Sequence, residues 1–156
     1  LNQTYILPDF RRNQKELDKI RVTLDSITSN PDYEITGIYL TGYASPEGSY
    51  AQNEVLSRDR TRALGNYLLR RYSFPENLYH VDWRGEDWIG LKRLILLYGM
   101  PNEEQVLSIM ENYSVFEGRE KRLMDLNNGK PYRYMMKHFF PELRRVDYKI
   151  TYKIIK

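Results

Sequence analysis

The sequence predicts an α/β fold of the α+β sandwich type, in which long helices pack on one face of a mixed sheet of about four strands. Three observations predict this fold. Strand-like and helix-like apolar spacings alternate along the first half of the chain, a helical block follows, and the last segment alternates apolar with polar residues. The predicted order is therefore β-α-β-α-β, a helical block and a final β.

The first elements are indicated by local apolar spacing and by helix-capping residues. A short extended piece at Tyr5–Leu7 precedes a capping box formed by Asn13 and Glu16. The helix after this box has one apolar face, which consists of Leu17, Ile20, Leu24 and Ile27. The next strand, Ile35–Thr41, has apolar residues on both faces, which predicts burial on both sides and a central position in the sheet.

The second helix, Tyr50–Tyr72, is the longest predicted element. It follows a tight turn and a second capping box, formed by Ser49 and Gln52. A strand over Leu78–Trp83, ended by Gly85, completes a strand–helix–strand unit. The two strands of such a unit pair in parallel through a right-handed crossover.

A helical block at about residues 86–140 separates this unit from the last strand. Its helices are indicated by an apolar face from Trp88 to Tyr98 closed by Gly99, by Asn102 with Gln105, by Ser114 with Glu117, and by Pro131 before a short helix ending near Phe140. The final strand, Val146–Ile154, is expected to run antiparallel. Because no linker or repeat interrupts the chain, residues 1–156 form a single predicted domain with a helical insertion at about 86–140. The insertion either adds cover to the core or presents a partner surface.

The composition excludes several classes of protein. The chain contains no Cys, which excludes disulfides and thiolate metal sites. No apolar run reaches the length of a membrane span, so no membrane insertion is expected. The chain begins at Leu1 without a signal peptide, which suggests a processed protein or an excised domain.

A nucleic-acid partner is an alternative raised by pairs of adjacent arginines and by the 14 tyrosines. The net charge is only +3, however, and acids are interspersed with the arginines. No known reader motif accompanies the charge. We therefore expect no nucleic-acid binding.

The sequence offers little from which to build an enzyme. His80 and His138 are the only histidines, and they lack metal-ligand spacing. No nucleophile elbow, phosphate loop or dinucleotide fingerprint occurs. Asp82, Glu86 and Asp87 lie close in sequence and suggest a carboxylate pair for glycoside hydrolysis, but acids beside a helix start more often stabilise its dipole. We expect no catalysis, no cofactor and no metal.

The most informative segment is Gly42–Leu68, where a strand ends, a tight turn follows and a long helix begins. Polar groups at a strand end and at an adjacent helix start can converge on one small ligand. Asn53, Ser57 and Arg60 share one stripe of the helix because they are three or four residues apart. A purely structural interpretation has Arg60 bonded to loop carbonyls and to a nearby acid such as Glu47.

This segment resembles the OmpA C-terminal family, whose domains associate with peptidoglycan. The motif residues of the family correspond here to Gly42-Tyr43-Ala44-Ser45, Gly48, Asn53, Leu56-Ser57, Arg60-Thr61 and Tyr67-Leu68, and near the end of the chain to Leu143-Arg144-Arg145-Val146. All spacings within the first motif are kept without a gap. The resemblance implies an OmpA-like domain of a divergent branch with an extended helical insertion.

The resemblance also implies a ligand, since an Asp and an Arg of the family grip the charged groups of diaminopimelate in the peptidoglycan stem peptide. The Arg is retained as Arg60, whereas the Asp is replaced by Ser45 and the Asn of the last motif by Leu143. Glu47, two residues after Ser45, is a candidate replacement for the missing acid. The predicted ligand-binding residues are Ser45, Glu47, Asn53, Ser57, Arg60 and Arg144.

Two functions are consistent with these residues. The first is a periplasmic, non-catalytic module that tethers an outer-membrane or surface protein to peptidoglycan through a groove near Ser45 and Arg60. The alternative is a protein–protein or structural module of the envelope that has kept the fold and lost peptidoglycan binding. In that case the partner is another envelope protein.

Overall fold

The computed structural model describes the backbone of residues 11–155 and the side chains of residues 17–155. The predicted strand Tyr5–Leu7 and the side chains of the predicted capping box Asn13 and Glu16 lie outside the described residues.

The described elements alternate between helices and strands in the first half of the chain and are helical in the second half, up to the last strand. They are α1 Arg11–Thr28, β1 Tyr33–Ala44, α2 Tyr50–Arg71, a 3-10 turn Glu76–Leu78, β2 Tyr79–Glu86, α3 Trp88–Tyr98, α4 Glu103–Asn112, α5 Arg119–Asp125, a 3-10 turn Leu126–Gly129, α6 Lys130–His138, α7 Phe140–Leu143 and β3 Arg145–Ile154. The predicted mixed α/β class is confirmed.

The described sheet has the strand order β2-β1-β3, so β1 is central, as its sequence predicts. β1 pairs in parallel with β2 and antiparallel with β3. Leu40, for example, lies opposite Val81 on one side and Tyr148 on the other. The predicted parallel crossover and the predicted antiparallel last strand are both confirmed.

Helices α1 and α2 pack on the same face of this sheet. The residues they bury together with β1 include Ile20 and Leu24 of α1, Ile38 and Leu40 of β1, and Leu64 and Leu68 of α2. Ile38 and Leu40 are two positions apart and therefore project from one face of the strand. Burial of these side chains contributes about 1.5–3 kcal/mol each, which makes this layer the main source of stability for the sheet.

The opposite face of β1 was expected to be buried as well, and it is only half-buried. Tyr39 stacks on His80 of β2 with 4.5 Å between ring centroids. The ammonium group of Lys149 on β3 lies 4.8 Å from the centre of the same ring. The apolar pattern suggested that a second layer packs on this face. Side chains with polar ends lie flat across the strands there instead.

Gly42 allows α2 to lie directly against β1. A Cβ atom at this position would overlap Oγ1 of Thr61 and would lie 2.7 Å from the carbonyl oxygen of Ser57. Thr61 cannot turn away easily, because its hydroxyl is buried and donates to the same carbonyl oxygen. The close approach of helix and strand therefore requires glycine at Gly42.

The helical insertion has a hydrophobic core of its own, distinct from the core beneath the sheet. Its buried members come from α3 to α7 and include Leu91, Ile95, Val106, Leu123, Met135, Phe140 and Leu143. Among the described residues, no helix is long and apolar enough to cross a membrane.

Two predicted element boundaries in or before the insertion need correction. Gly85 was expected to end β2, but the strand continues to Glu86, and Gly85 takes a positive φ of 69° at a register shift opposite Tyr43. Ser114 and Glu117 were expected to begin a helix, but they form a local turn. The helix begins only at Arg119, because Gly118 has a φ of 75° and so adopts the left-handed conformation, which is not helical.

Other helix signals have mixed outcomes. Ser49 caps α2 by accepting from the backbone N–H of Gln52 at 3.3 Å, as predicted. Asn102 stands at the cap position of α4 in the left-handed region, but its side chain bonds to Gln105 and not to a backbone N–H. Pro131 begins α6 as predicted. The short helix expected to end near Phe140 is divided into α6 and α7.

We expect Gly42→Ala to lower the free energy of unfolding by about 1–3 kcal/mol, because the added methyl group is forced against Thr61 and Ser57. Urea denaturation of both proteins measures the change. Thr61→Ala in the Gly42→Ala background removes the overlapping hydroxyl and should restore part of the loss. An unchanged unfolding midpoint for Gly42→Ala would contradict the close packing of α2 on β1.

Candidate functional site

A groove with a volume of about 190 Å³ lies between the end of β1, the start of α2 and the segment between α7 and β3. Its lining consists of Tyr43, Ala44, Ser45, Glu47, Asn53, Leu56, Ser57, Arg60 and Arg144. All six residues predicted to bind a ligand are among them. The structure therefore brings the segment 43–60 together with Arg144, which is far from it in sequence, although it does not by itself assign a ligand.

Asn53 and Ser57 form the floor of the groove, and the side-chain NH2 group of Asn53 and the hydroxyl of Ser57 already have partners within the protein. Nδ2 of Asn53 donates to the carbonyl oxygens of Ser45 at 3.1 Å and Glu47 at 2.7 Å, and to Oε2 of Glu86 at 2.7 Å. The hydroxyl of Ser57 donates to the carbonyl of its own helical turn and accepts from the backbone N–H of Gly85 at 3.2 Å. Both side chains are buried, so their part is to fix the loop and β2 against α2.

The charged wall of the groove is organised around Glu47. Its Oε1 accepts from the hydroxyl of Ser45 at 3.1 Å and from Nη1 of Arg144 at 3.0 Å. Glu47, which the sequence suggested as a partner for Arg60, is thus held by an arginine from the far end of the chain. The three charged lining residues are Arg60, Arg144 and Glu47, which leaves the groove with an excess of one positive charge. Guanidinium groups suit carboxylates because they offer donors in a fork.

Sequence reasoning missed Glu120, which holds the site loop from behind. Its Oε2 accepts from the backbone N–H of Gly48 at 2.9 Å and from the hydroxyl of Tyr132 at 2.7 Å. Burial and the hydrogen bond to Glu120 raise the pKa of Tyr132, so the phenol remains a donor at neutral pH. Because Glu120 lies 72 positions from Gly48, no local sequence signal indicates this contact.

Glu86, at the end of β2, connects the groove floor to the helical insertion. Oε1 accepts from the indole N–H of Trp88 at 2.9 Å, and Oε2 accepts from Asn53. Burial raises the pKa of Glu86, although the hydrogen bonds from Asn53 and Trp88 oppose this shift. The other face of this junction is closed by Arg119, whose guanidinium lies 4.6 Å from the Trp88 ring centre.

Asp87 and Arg145 form a second connection, between α3 and β3. Oδ1 of Asp87 caps α3 by accepting from the N–H of Gly90 at 2.9 Å, while Oδ2 lies 2.6 Å from Nη1 of Arg145. Burial lowers the pKa of Arg145, but the hydrogen bonds to Asp87 and Asp147 outweigh it, and the pKa is raised overall. Arg145 also lies over the Tyr43 ring at 4.2 Å.

The acids that suggested a carboxylate pair therefore have separate structural partners. Asp87 caps a helix, as the dipole argument predicts, and Glu86 bonds to Asn53 and Trp88. Asp82 is exposed and pairs with Arg84 at 3.0 Å.

Comparison with known proteins gives partial matches. No family model matches the chain. Outer membrane protein 41 of Porphyromonas gingivalis is 39% identical over 49 residues, which are 31% of this chain and 12% of that protein. The chain thus spans about an eighth of the length of this relative. A solved outer membrane protein from Borrelia burgdorferi is 23% identical and covers 50% of this chain and 64% of its own, with a TM-score of 0.37, too low to support a structural conclusion.

The raised pKa of Glu86 predicts a pH effect on stability. The carboxyl group of Glu86 has a higher pKa in the folded chain than its ordinary value of 4.5 in the unfolded chain. Its contribution to the free energy of unfolding is therefore fully present below pH 4.5 and is lost as the pH rises through the pKa of the folded state. We expect the free energy of unfolding of the wild type to fall relative to Glu86→Gln between about pH 4 and about pH 7. Urea unfolding across this range measures the difference, and Glu111→Gln, at an exposed position, is the control. A difference independent of pH would contradict the raised pKa of Glu86.

Proposed function

We propose that the chain is a non-catalytic binding module of the cell envelope, whose groove holds the peptidoglycan stem peptide and so tethers an outer-membrane protein from the periplasmic side. The observation that carries this proposal is the convergence of Ser45, Glu47, Arg60 and Arg144 on one groove with an excess positive charge. The local identity to a protein named Outer membrane protein 41 supports an envelope setting.

The groove offers both kinds of charge that diaminopimelate requires. Arg60 provides fork-like donors for a carboxylate. Ser45 stands in place of the acid of the OmpA-like motif, and its hydroxyl donates to Glu47, which supplies a carboxylate two residues further on. Arg144 holds this carboxylate in the groove wall at 3.0 Å. We therefore assign the ammonium group of the ligand to Glu47 and a carboxylate of the ligand to Arg60.

Several features support binding over catalysis. Neither histidine lines the groove: His80 stacks on Tyr39 on the opposite face of the sheet, and His138 contacts Tyr134 in α6. Within the described part of the chain, no group of three or more His, Asp or Glu side chains is arranged to hold a metal ion. The groove residues offer charge and shape but no evident general base beyond an acid already paired with Arg144.

A second candidate function is an interaction or structural module of the envelope without peptidoglycan binding. One observation favours it: the side-chain NH2 group of Asn53, the hydroxyl of Ser57 and the carboxylate of Glu47 all have partners within the protein. Such internal pairing stabilises the loop without a ligand. The partner would then contact another surface, such as that of the helical insertion.

Sedimentation with purified peptidoglycan that contains diaminopimelate separates the two functions. We expect the wild type to bind and Arg60→Ala to bind about 10- to 100-fold more weakly, since one charge-assisted contact is lost. Arg70→Ala is the matched control, because it removes an exposed arginine from the last turn of the same helix. Circular dichroism and urea unfolding establish that each variant is folded.

Two results would overturn the proposal. Absence of wild-type binding would reject the tether and leave the interaction module. Equal binding by wild type and by a folded Arg60→Ala variant would show that peptidoglycan contacts some surface other than the groove.

A further inference from the structure

The outward face of α3 carries apolar side chains that the fold does not use. Ile89 is 77% exposed, Leu96 60% and Leu97 67%. Lys92 and Arg93, which lie between them in sequence, are also exposed. Helices of monomeric domains usually present polar residues to solvent, so three exposed aliphatic residues on one short helix mark a contact surface.

Helix geometry places these five residues on one stripe. At 3.6 residues per turn, Ile89, Lys92, Arg93, Leu96 and Leu97 fall within an arc of about 140°. The opposite side of the helix is occupied by Leu91 and Ile95, which are fully buried in the core of the insertion. Helix α3 therefore has two apolar faces, and folding of the insertion accounts for only one of them.

The charge on this stripe is of a single sign. Lys92 and Arg93 are the only charged residues in the segment 88–101, which contains no Asp or Glu. The next acids, Glu103 and Glu104, belong to the first turn of α4. A partner that contacts the stripe closely must therefore tolerate aliphatic side chains and provide negative charge.

We infer that this face of α3 docks on an anionic phospholipid surface. A convex helix face with aliphatic side chains and adjacent cations matches the requirements of interfacial membrane binding, in which the aliphatic groups enter the headgroup boundary and the cations remain among the phosphates. Long Lys and Arg side chains reach back to the phosphates while their methylene stems lie along the apolar surface. The helix lies on the surface and does not cross it.

A second copy of the chain fits this face less well. A two-fold symmetric contact across α3 would bring Lys92 and Arg93 of one protomer close to the same residues of the other, which is repulsive in a desolvated interface. An anionic lipid surface removes that repulsion and offers many equivalent negative groups. The expected binding is weak and reversible, because each cation near such a surface contributes only about a fivefold gain in partitioning.

Co-sedimentation with lipid vesicles tests this inference. We expect the protein to bind vesicles that contain phosphatidylglycerol, to bind vesicles of phosphatidylcholine alone much more weakly, and to be released by salt. Lys92→Gln/Arg93→Gln should weaken binding roughly 25-fold, as the product of two fivefold losses. Ile89→Ser/Leu96→Ser should weaken it at constant charge. Lys130→Gln/Lys137→Gln on α6 is the control for net charge.

Each of three outcomes would overturn the inference. The first is no binding to phosphatidylglycerol vesicles, and the second is an equal loss in the α6 control variant, which would indicate attraction by overall charge. The third is a stable dimer that Ile89→Ser/Leu96→Ser dissociates, which would assign the face to a second copy. Circular dichroism checks that α3 remains folded in each variant. The vesicle assay contains no peptidoglycan, so a failure to bind vesicles is distinct from a failure of the proposed peptidoglycan tether.

Discussion

The close contact between α2 and β1 at Gly42 is the constraint on which the candidate site depends. With no side chain at Gly42, the helix lies against the strand at Ser57 and Thr61. Arg60 of the same helical turn and Asn53 of the preceding turn then line the groove at the end of the strand. Asn53 can then bond to two loop carbonyls and to Glu86 at once. The shape of the groove therefore depends on the close packing of α2 against β1, and the loop conformation follows from that packing.

The helical insertion is joined to the sheet layer by polar contacts in addition to chain connections. The sheet layer and the helical insertion each have a hydrophobic core. Between them, Glu120 bonds to the loop at Gly48, and Asp87 bonds to Arg145. The Asp87–Arg145 pair, in which Asp87 is buried, adds little net stability, but it penalises any displaced arrangement in which Asp87 loses its partner. The insertion thereby holds the site loop in one position.

The sequence was sufficient to predict the features that depend on local spacing. The central strand, the parallel crossover, the antiparallel last strand and the set of groove residues all follow from periodicity, helix caps and motif spacing. The unpredicted features depend on contacts between distant segments. No local signal indicates, for example, that Arg145 bonds to Asp87 of α3, because the two residues are 58 positions apart in sequence. Likewise Glu120 has no local signal, and Gly85 lies inside β2 because a register shift there requires positive φ.

The OmpA-like motif that the sequence resembles has an acid at the position of Ser45, and the carboxylate of the groove stands two residues further on, at Glu47. Glu47 pairs with Arg144 at 3.0 Å, so its charge is present in the groove wall and its side chain is held in place. The most direct measurement is NMR titration of the isotopically labelled domain with a soluble peptidoglycan fragment that contains diaminopimelate. Binding in the groove predicts saturable shifts that are largest for the backbone amides of residues 43–45 and 47–48 and for the side chain of Arg60. Unchanged spectra at millimolar fragment, or shifts confined to the helical insertion, would contradict it.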